Sequence, residues 1–114
     1  MALQFRPKQE AATIEWLNGS KLKLKRPSPA QRHKIYSDVE DGEPEEKGLE
    51  RSDRYFSSFI VGWEGIESKP GTALEFTPEN CMAVYDELDS NLTDAGKVAR
   101  EKFFTFAMGM SGKN

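Results

Sequence analysis

Cysteine and histidine are nearly absent from this chain, which holds one of each, Cys81 and His33, among 114 residues. A single thiol excludes an internal disulfide and any cysteine-based zinc site. His33 stands between Arg32 and Lys34, a setting that reads as solvated surface rather than as a catalytic base. Cys81 falls on the apolar face of a predicted helix with no basic neighbour in the sequence, which fits an inert core thiol better than a nucleophile. Long apolar runs are missing too. No stretch approaches the ~20 residues that cross a bilayer, and the start MALQFRPKQE lacks the pattern of a secretory leader. The reading is therefore a cytoplasmic, reduced protein that neither spans nor enters a membrane. An excess of positive charge is also lacking: 16 Lys and Arg stand against 19 Asp and Glu, for a net charge of −3. That balance argues against nucleic acid as a partner, because phosphate binding needs clustered cations. Carboxylates abound, yet no pair sits in an apolar stretch that would split two pKa values for acid–base work. The expectation is no enzyme, no metal and no cofactor.

What is present is enough for one domain. A chain of this length buries roughly 65 % of its unfolded surface without staples. The first organised unit is a β-hairpin over 13–26, TIEWLNGSKLKLKR, with Asn18-Gly19 as its turn signal. A two-residue loop would pair apolar with charged side chains. A three-residue loop, Asn18 to Ser20, instead pairs Trp16 with Leu22 and Ile14 with Leu24, and sets Glu15 opposite Lys23. An isolated hairpin is marginal in water, so it must lie on something apolar. A helix over 29–39 follows, with Ser28 as N-cap, Pro29 at the first position and Gln31 completing a capping box. Its inward residues are expected to be Ile35, Tyr36 and Val39. Six acidic residues between Asp38 and Glu46, with Gly42 and Pro44, mark a solvated, mobile loop over 40–48. They lack the spacing of a twelve-residue calcium loop.

The stretch FIVGWEGI, from Phe59 to Ile66, concentrates apolar residues around a glycine-flanked Trp. Leu49, Phe56, Ile60 and Trp63 recur at helical spacing, which predicts a helix over 49–64 closed by Gly65 in a left-handed conformation. The competing reading is a buried strand, since Phe-Ile-Val is β-prone. A phosphate loop needs more glycines and a Lys or Ser/Thr at fixed spacing, which GWEG does not supply. Beyond a turn at Lys69 to Thr72, Thr77-Pro78-Glu79 opens a helix over 78–88 with Cys81, Val84, Tyr85 and Leu88 on one stripe. A last helix, 92–108, places Ala95, Ala99, Phe103 and Phe106 inward, while FFTFAMGM is apolar on more than that stripe. Ser111 to Asn114 should fray. The fold class expected is α+β, an N-terminal hairpin packed on four helices in a single domain. Its predicted core includes Trp16, Phe56, Ile60, Trp63, Phe103 and Phe106.

The order of these features resembles that of phage tail assembly chaperones, small proteins of long-tailed bacteriophages and prophages. The resemblance is carried by WLNGSKLKLKRPSPAQRHKI, by VGWEGI followed after a spacer by LEFTPENCMAVYDEL, and by the apolar end FFTFAMGMSGKN. It covers nearly the whole chain but contains no catalytic motif. It implies a protein outside the finished virion that keeps the long, helical tape measure protein soluble during tail assembly, with the tail tube protein as a second candidate partner. Such a chaperone needs exposed apolar surface that accepts helices and a charged remainder. Phe104, Met108 and Met110 are the candidate partner contacts, the methionines suiting adaptable packing. The same apolar surface allows weak self-association. The resemblance also implies a ribosomal slip near the end of the gene, and Gly112-Lys113-Asn114 is encodable by a suitable run of bases. Two alternatives remain open: a virion structural or head–tail connector component, and an acidic inhibitor that mimics DNA. The clustering of the acids in one loop fits the latter poorly.

Overall fold

The computed structural model describes residues 9–37 and 39–109. Met110 and the expectations for Ser111 to Asn114 lie outside the described residues. The hairpin forms where alternation places it: β1 (Ala11–Glu15) runs antiparallel to β2 (Lys21–Lys25). Its loop has three residues, but they are Leu17–Gly19 rather than Asn18 to Ser20. Asn18 and Gly19 both take left-handed backbone, with φ of 54° and 77°, which these two residue types tolerate at least cost. The Trp16 N–H donates to the Ser20 carbonyl at 2.8 Å and closes the loop. The register therefore differs by two residues from the expected one, with Ile14 facing Leu22 and Glu15 facing Lys21. A slip of two keeps every side chain on its own face. Ile14, Leu22 and Leu24 are accordingly all buried, while Lys21, Lys23 and Lys25 stay outside.

The main correction concerns 49–64, which is not one helix. The helix α2 (Glu45–Ser57) stops short of Phe59, and Ile60–Glu64 forms a third strand, β3, antiparallel to β2. Two causes end the helix, one local and one from the sheet. The hydroxyls of Ser57 and Ser58 donate to the carbonyls of Arg54 and Tyr55, an alternative to continued helical bonding. The β-prone Phe-Ile-Val run then meets the free edge of β2, where Lys25 N–H donates to the Phe59 carbonyl at 2.8 Å. The sheet order is β1-β2-β3, so the hairpin gains the strand it needs to be stable. Gly65 does adopt positive φ, 76°, but it ends a strand rather than a helix. Leu49, placed on the inward stripe by its spacing, is exposed.

The acidic stretch is correspondingly shorter than 40–48, because Glu45 to Gly48 belong to α2. The preceding helix α1 (Pro29–Tyr36) carries the expected capping box: Gln31 N–H donates to Ser28 Oγ, and Ser28 N–H donates to Gln31 Oε1. It ends before Val39, and of its three expected inward residues only Ile35 is half-buried, with Tyr36 and Val39 exposed. A short second hairpin, β4 (Glu67–Lys69) with β5 (Thr72–Ala73), turns at Pro70 and Gly71. The last two helices are α3 (Pro78–Ser90), capped by Thr77, and α4 (Asp94–Ala107), capped by Thr93. Gly96 is required at their junction, since a Cβ there would lie 2.2 Å from Asn91 Oδ1.

The result is an α+β domain with helices packed on one face of the sheet. The predicted α3 stripe of Cys81, Val84, Tyr85 and Leu88 is buried in full. On α4, Ala99, Phe103 and Phe106 are buried as expected, together with Ala107, whereas Ala95 is exposed. Ile60 is also in the core, while Trp16, Phe56 and Trp63 are half-buried and pack against it. Trp63 lies opposite Leu22, stacks edge-on to Phe76 at 4.9 Å and donates its Nε1–H to the Leu74 carbonyl at 3.0 Å. The centre is Phe59, fully buried. Phe59→Ala is expected to lower the unfolding free energy by about 3–5 kcal/mol. Trp63→Ala should cost less, because its ring is only partly enclosed. Denaturant unfolding of both variants checks the order, and a larger loss at Trp63 would contradict this packing.

Candidate binding surfaces

Two arginines that the sequence left without a role organise the polar side of the structure. Arg26 follows β2 and reaches the C-terminal end of α4. Its Nη2 donates to the Phe106 carbonyl at 2.8 Å, its Nη1 to the Ala107 carbonyl at 3.2 Å, and its Nε to the Gln9 carbonyl. Carbonyls at a helix C-terminus lack intrahelical donors and carry the negative end of the dipole, so a cation is well matched there. The same guanidinium lies over the Phe106 and Phe59 rings, at 4.9 and 5.7 Å from their centroids. Arg51 is buried on α2 and forms a two-pronged pair with Glu43, Nη2 to Oε2 at 3.0 Å. That contact holds the Glu43 carboxyl below its ordinary pKa. Neither role was readable from local pattern, since each joins residues from separate elements.

The predicted partner contacts divide. Phe104 is half-buried, with its ring against Phe56 at 5.3 Å, Phe103 at 5.1 Å and Tyr85 at 6.5 Å. Arg100 lies over its outer side at 5.0 Å and is itself held by Asp89 through the backbone carbonyl and Oδ1. Met108, just past the end of α4, is exposed. A shallow depression of about 580 Å³ extends from Phe104 to Leu92, which is 74 % exposed, and is rimmed by Asp89, Lys97, Arg100 and Glu101. The helix expected to start at Leu92 starts at Asp94 instead, capped by Thr93, so Leu92 stands between helices and off the stripe that periodicity marks. Val98 on α4 is also exposed, so this helix presents apolar side chains inside and outside.

The groups most often used in chemistry sit apart. His33 is exposed on α1. Cys81 is buried, its thiol facing the Ser57 carbonyl at 3.3 Å, and burial raises its pKa to about 11. Burial, then the charges of Asp89 and Asp86, raises the pKa of Asp53. Burial, followed by the charges of Asp89 and Asp53, raises that of Tyr85. No group of three His, Cys, Asp or Glu side chains is placed to hold a metal among the described residues, and no described helix is long and apolar enough to cross a membrane.

Cys81 makes a pH prediction with a definite sign. Its folded pKa lies above the unfolded value of roughly 8.5, so the unfolded chain loses the thiol proton first. Stability should fall as pH rises from about 9 towards 11, and Cys81→Ala should remove that component of the decline. Thiol-reagent labelling at mildly alkaline pH should be slow in the native protein and rapid in denaturant. Rapid native labelling would show that the thiol is accessible.

Compared with protein-family models, with curated proteins and with solved structures, the chain matches none.

Proposed function

We propose that this chain is a non-enzymatic binding protein of the phage tail assembly chaperone type, acting in the cytoplasm of the bacterial host to keep the tape measure protein soluble. The observation that carries the reading is the double-sided character of α4. Ala99, Phe103, Phe106 and Ala107 are buried on one side, while Leu92 ahead of the helix, Val98 on it and Met108 at its end remain at least half exposed. Of these, Leu92 lies beside Phe104 in one depression, and a contiguous apolar floor of this kind marks a contact surface. The rim of Asp89, Lys97, Arg100 and Glu101 carries both charge signs around an apolar floor. An amphipathic helix, with its own charged flanks, is the kind of ligand such a floor and rim accept. The resemblance in motif order, described for the sequence, supplies the identity of that helical partner. The net charge of −3 keeps the remainder of the surface hydrated.

Co-expression with the tape measure protein tests this reading. Leu92→Asp and Met108→Asp should each reduce recovery of the soluble complex at least about ten-fold, the effect of losing one well-packed contact of ~1.4 kcal/mol. Both side chains are exposed, so melting temperatures should stay within a few degrees of the parent. Phe104→Asp is less decisive, because its ring also packs inside. Unchanged recovery in both exposed variants would remove α4 as the binding element. Retention of the chain in purified virions would favour a structural component instead.

A further inference from the structure

The surface has two apolar depressions, the one at α4 and an open groove beside β3 in which Val61 and Phe76 are exposed. A different kind of surface lies on the outer face of the sheet. The helices pack against the face on which Ile14, Leu22 and Leu24 are buried. Alternation sends Lys21, Lys23 and Lys25 to the opposite face, all exposed, along the central strand β2. Successive lysines stand roughly 6.7 Å apart, the rise of two residues in a strand. Their neighbours across the sheet are small. Ala11 and Thr13 on β1 lie opposite Lys25 and Lys23, and Gly62 on β3 lies opposite Lys23 from the other side.

The net charge of −3 conceals this row, because charge is balanced at one end of it only. Lys21 has Glu15 opposite it on one side and Glu64 on the other. Lys23 and Lys25 have no carboxylate opposite them on either neighbouring strand. Past the end of β2 the positive character continues. Lys25, Arg26 and Arg32 line a depression of about 500 Å³, in which Glu10 is the one carboxylate among the described residues. Arg26 is committed to the carbonyls of α4. No ion pair engages Lys23, Lys25 or Arg32 among the described residues. Three exposed cations thus follow one another from the middle of the sheet to α1.

The chemistry of this face discriminates among anions. An extended peptide presents every second side chain on one side at the same interval of roughly 6.7 Å, so carboxylates at alternate positions meet Lys23 and Lys25 in turn. A single-stranded nucleic acid draws much of its affinity from aromatic platforms for its bases, and Ala11, Thr13 and Gly62 offer none. A long polyanion of any kind would run past Lys21 onto Glu15 and Glu64 and be repelled there. We infer that the outer face of the sheet is a docking surface for a short, extended, acidic segment of a partner protein, held by Lys23, Lys25 and Arg32. The small side chains beside the lysines let such a segment lie close to the sheet. A chain bound here leaves Leu92 and Met108 of the α4 surface untouched.

Fluorescence anisotropy on the full chain tests the inference with three labelled probes: a short peptide of alternating Glu and Ser, its Gln and Ser counterpart, and an oligothymidylate of equal charge. The acidic peptide should bind, the Gln peptide should not, and the oligothymidylate should bind more weakly than the acidic peptide. Raising the ionic strength from about 0.05 M to about 0.3 M should weaken binding several-fold. Lys23→Glu combined with Lys25→Glu should weaken it about ten-fold or more, and Arg32→Glu by a smaller factor. The milder pair Lys23→Gln and Lys25→Gln should cost about three-fold, which keeps the test sound if the Glu pair disturbs the strand. Lys69→Glu, the same change of charge on β4, should leave binding unaltered. Absence of acidic-peptide binding at low ionic strength would overturn the inference. So would tighter binding of the oligothymidylate, or a loss at Lys69→Glu equal to that at β2, which would mark attraction without a site.

Discussion

Phe59 is the residue on which the remaining packing depends. It stands between α2 and β3, fully buried, with Tyr55 at 5.2 Å and Phe56 at 6.3 Å on the helix side. Phe103 and Phe106 of α4 meet its other sides at 6.3 and 6.2 Å. Its carbonyl accepts from Lys25, which starts the pairing of β3 with β2. One side chain therefore joins the helical layer to the sheet while its backbone fixes the sheet's third strand. Most of these rings meet edge to face, an arrangement that adds directional attraction to the area removed from water.

The polar contacts extend this joint outwards. Arg26 presses its guanidinium against Phe59 and Phe106 while its N–H groups bind the last carbonyls of α4. It thereby fixes where α4 stops, and with it the position of Met108 in solvent. Arg100 does comparable work at the middle of that helix, tied to Asp89 and laid across Phe104. The outcome is a helix held firmly on its inner side whose outer apolar residues are kept in place rather than absorbed. Rigid presentation of this kind reduces the ordering cost of binding.

Two apolar surfaces follow from the same economy of size. A chain of 114 residues cannot enclose every apolar side chain it carries: Tyr36, Val39 and Leu49 are exposed outside both depressions, whereas Leu92 with Phe104, and Val61 with Phe76, each share one. Grouping is what gives a leftover surface the capacity to recognise something. The charged residues around the depression at α4 then favour a helical partner in the reading proposed above.

Local chemistry by itself determined the caps and the faces. Ser28, Thr77 and Thr93 satisfy N–H groups of their own helices within three residues, so these starts were legible or nearly so from short motifs. The α3 stripe and the buried face of β2 followed from period alone, and even a two-residue error in register left them unchanged. Tertiary contact decided the rest. Phe59 to Glu64 satisfies both a helical and a strand pattern, and only the free edge of β2, far away in the chain, made the strand the better use of its backbone groups. The roles of Arg26 and Arg51 were invisible for a related reason. A cation's partner is set by which carbonyl or carboxylate folding brings near it, and Arg26 lies 80 residues from the Phe106 carbonyl that it holds. Phe104 shows the same division at the candidate site: its sequence position marked it as surplus to the inner stripe, but only packing placed its ring half inside, beneath Arg100.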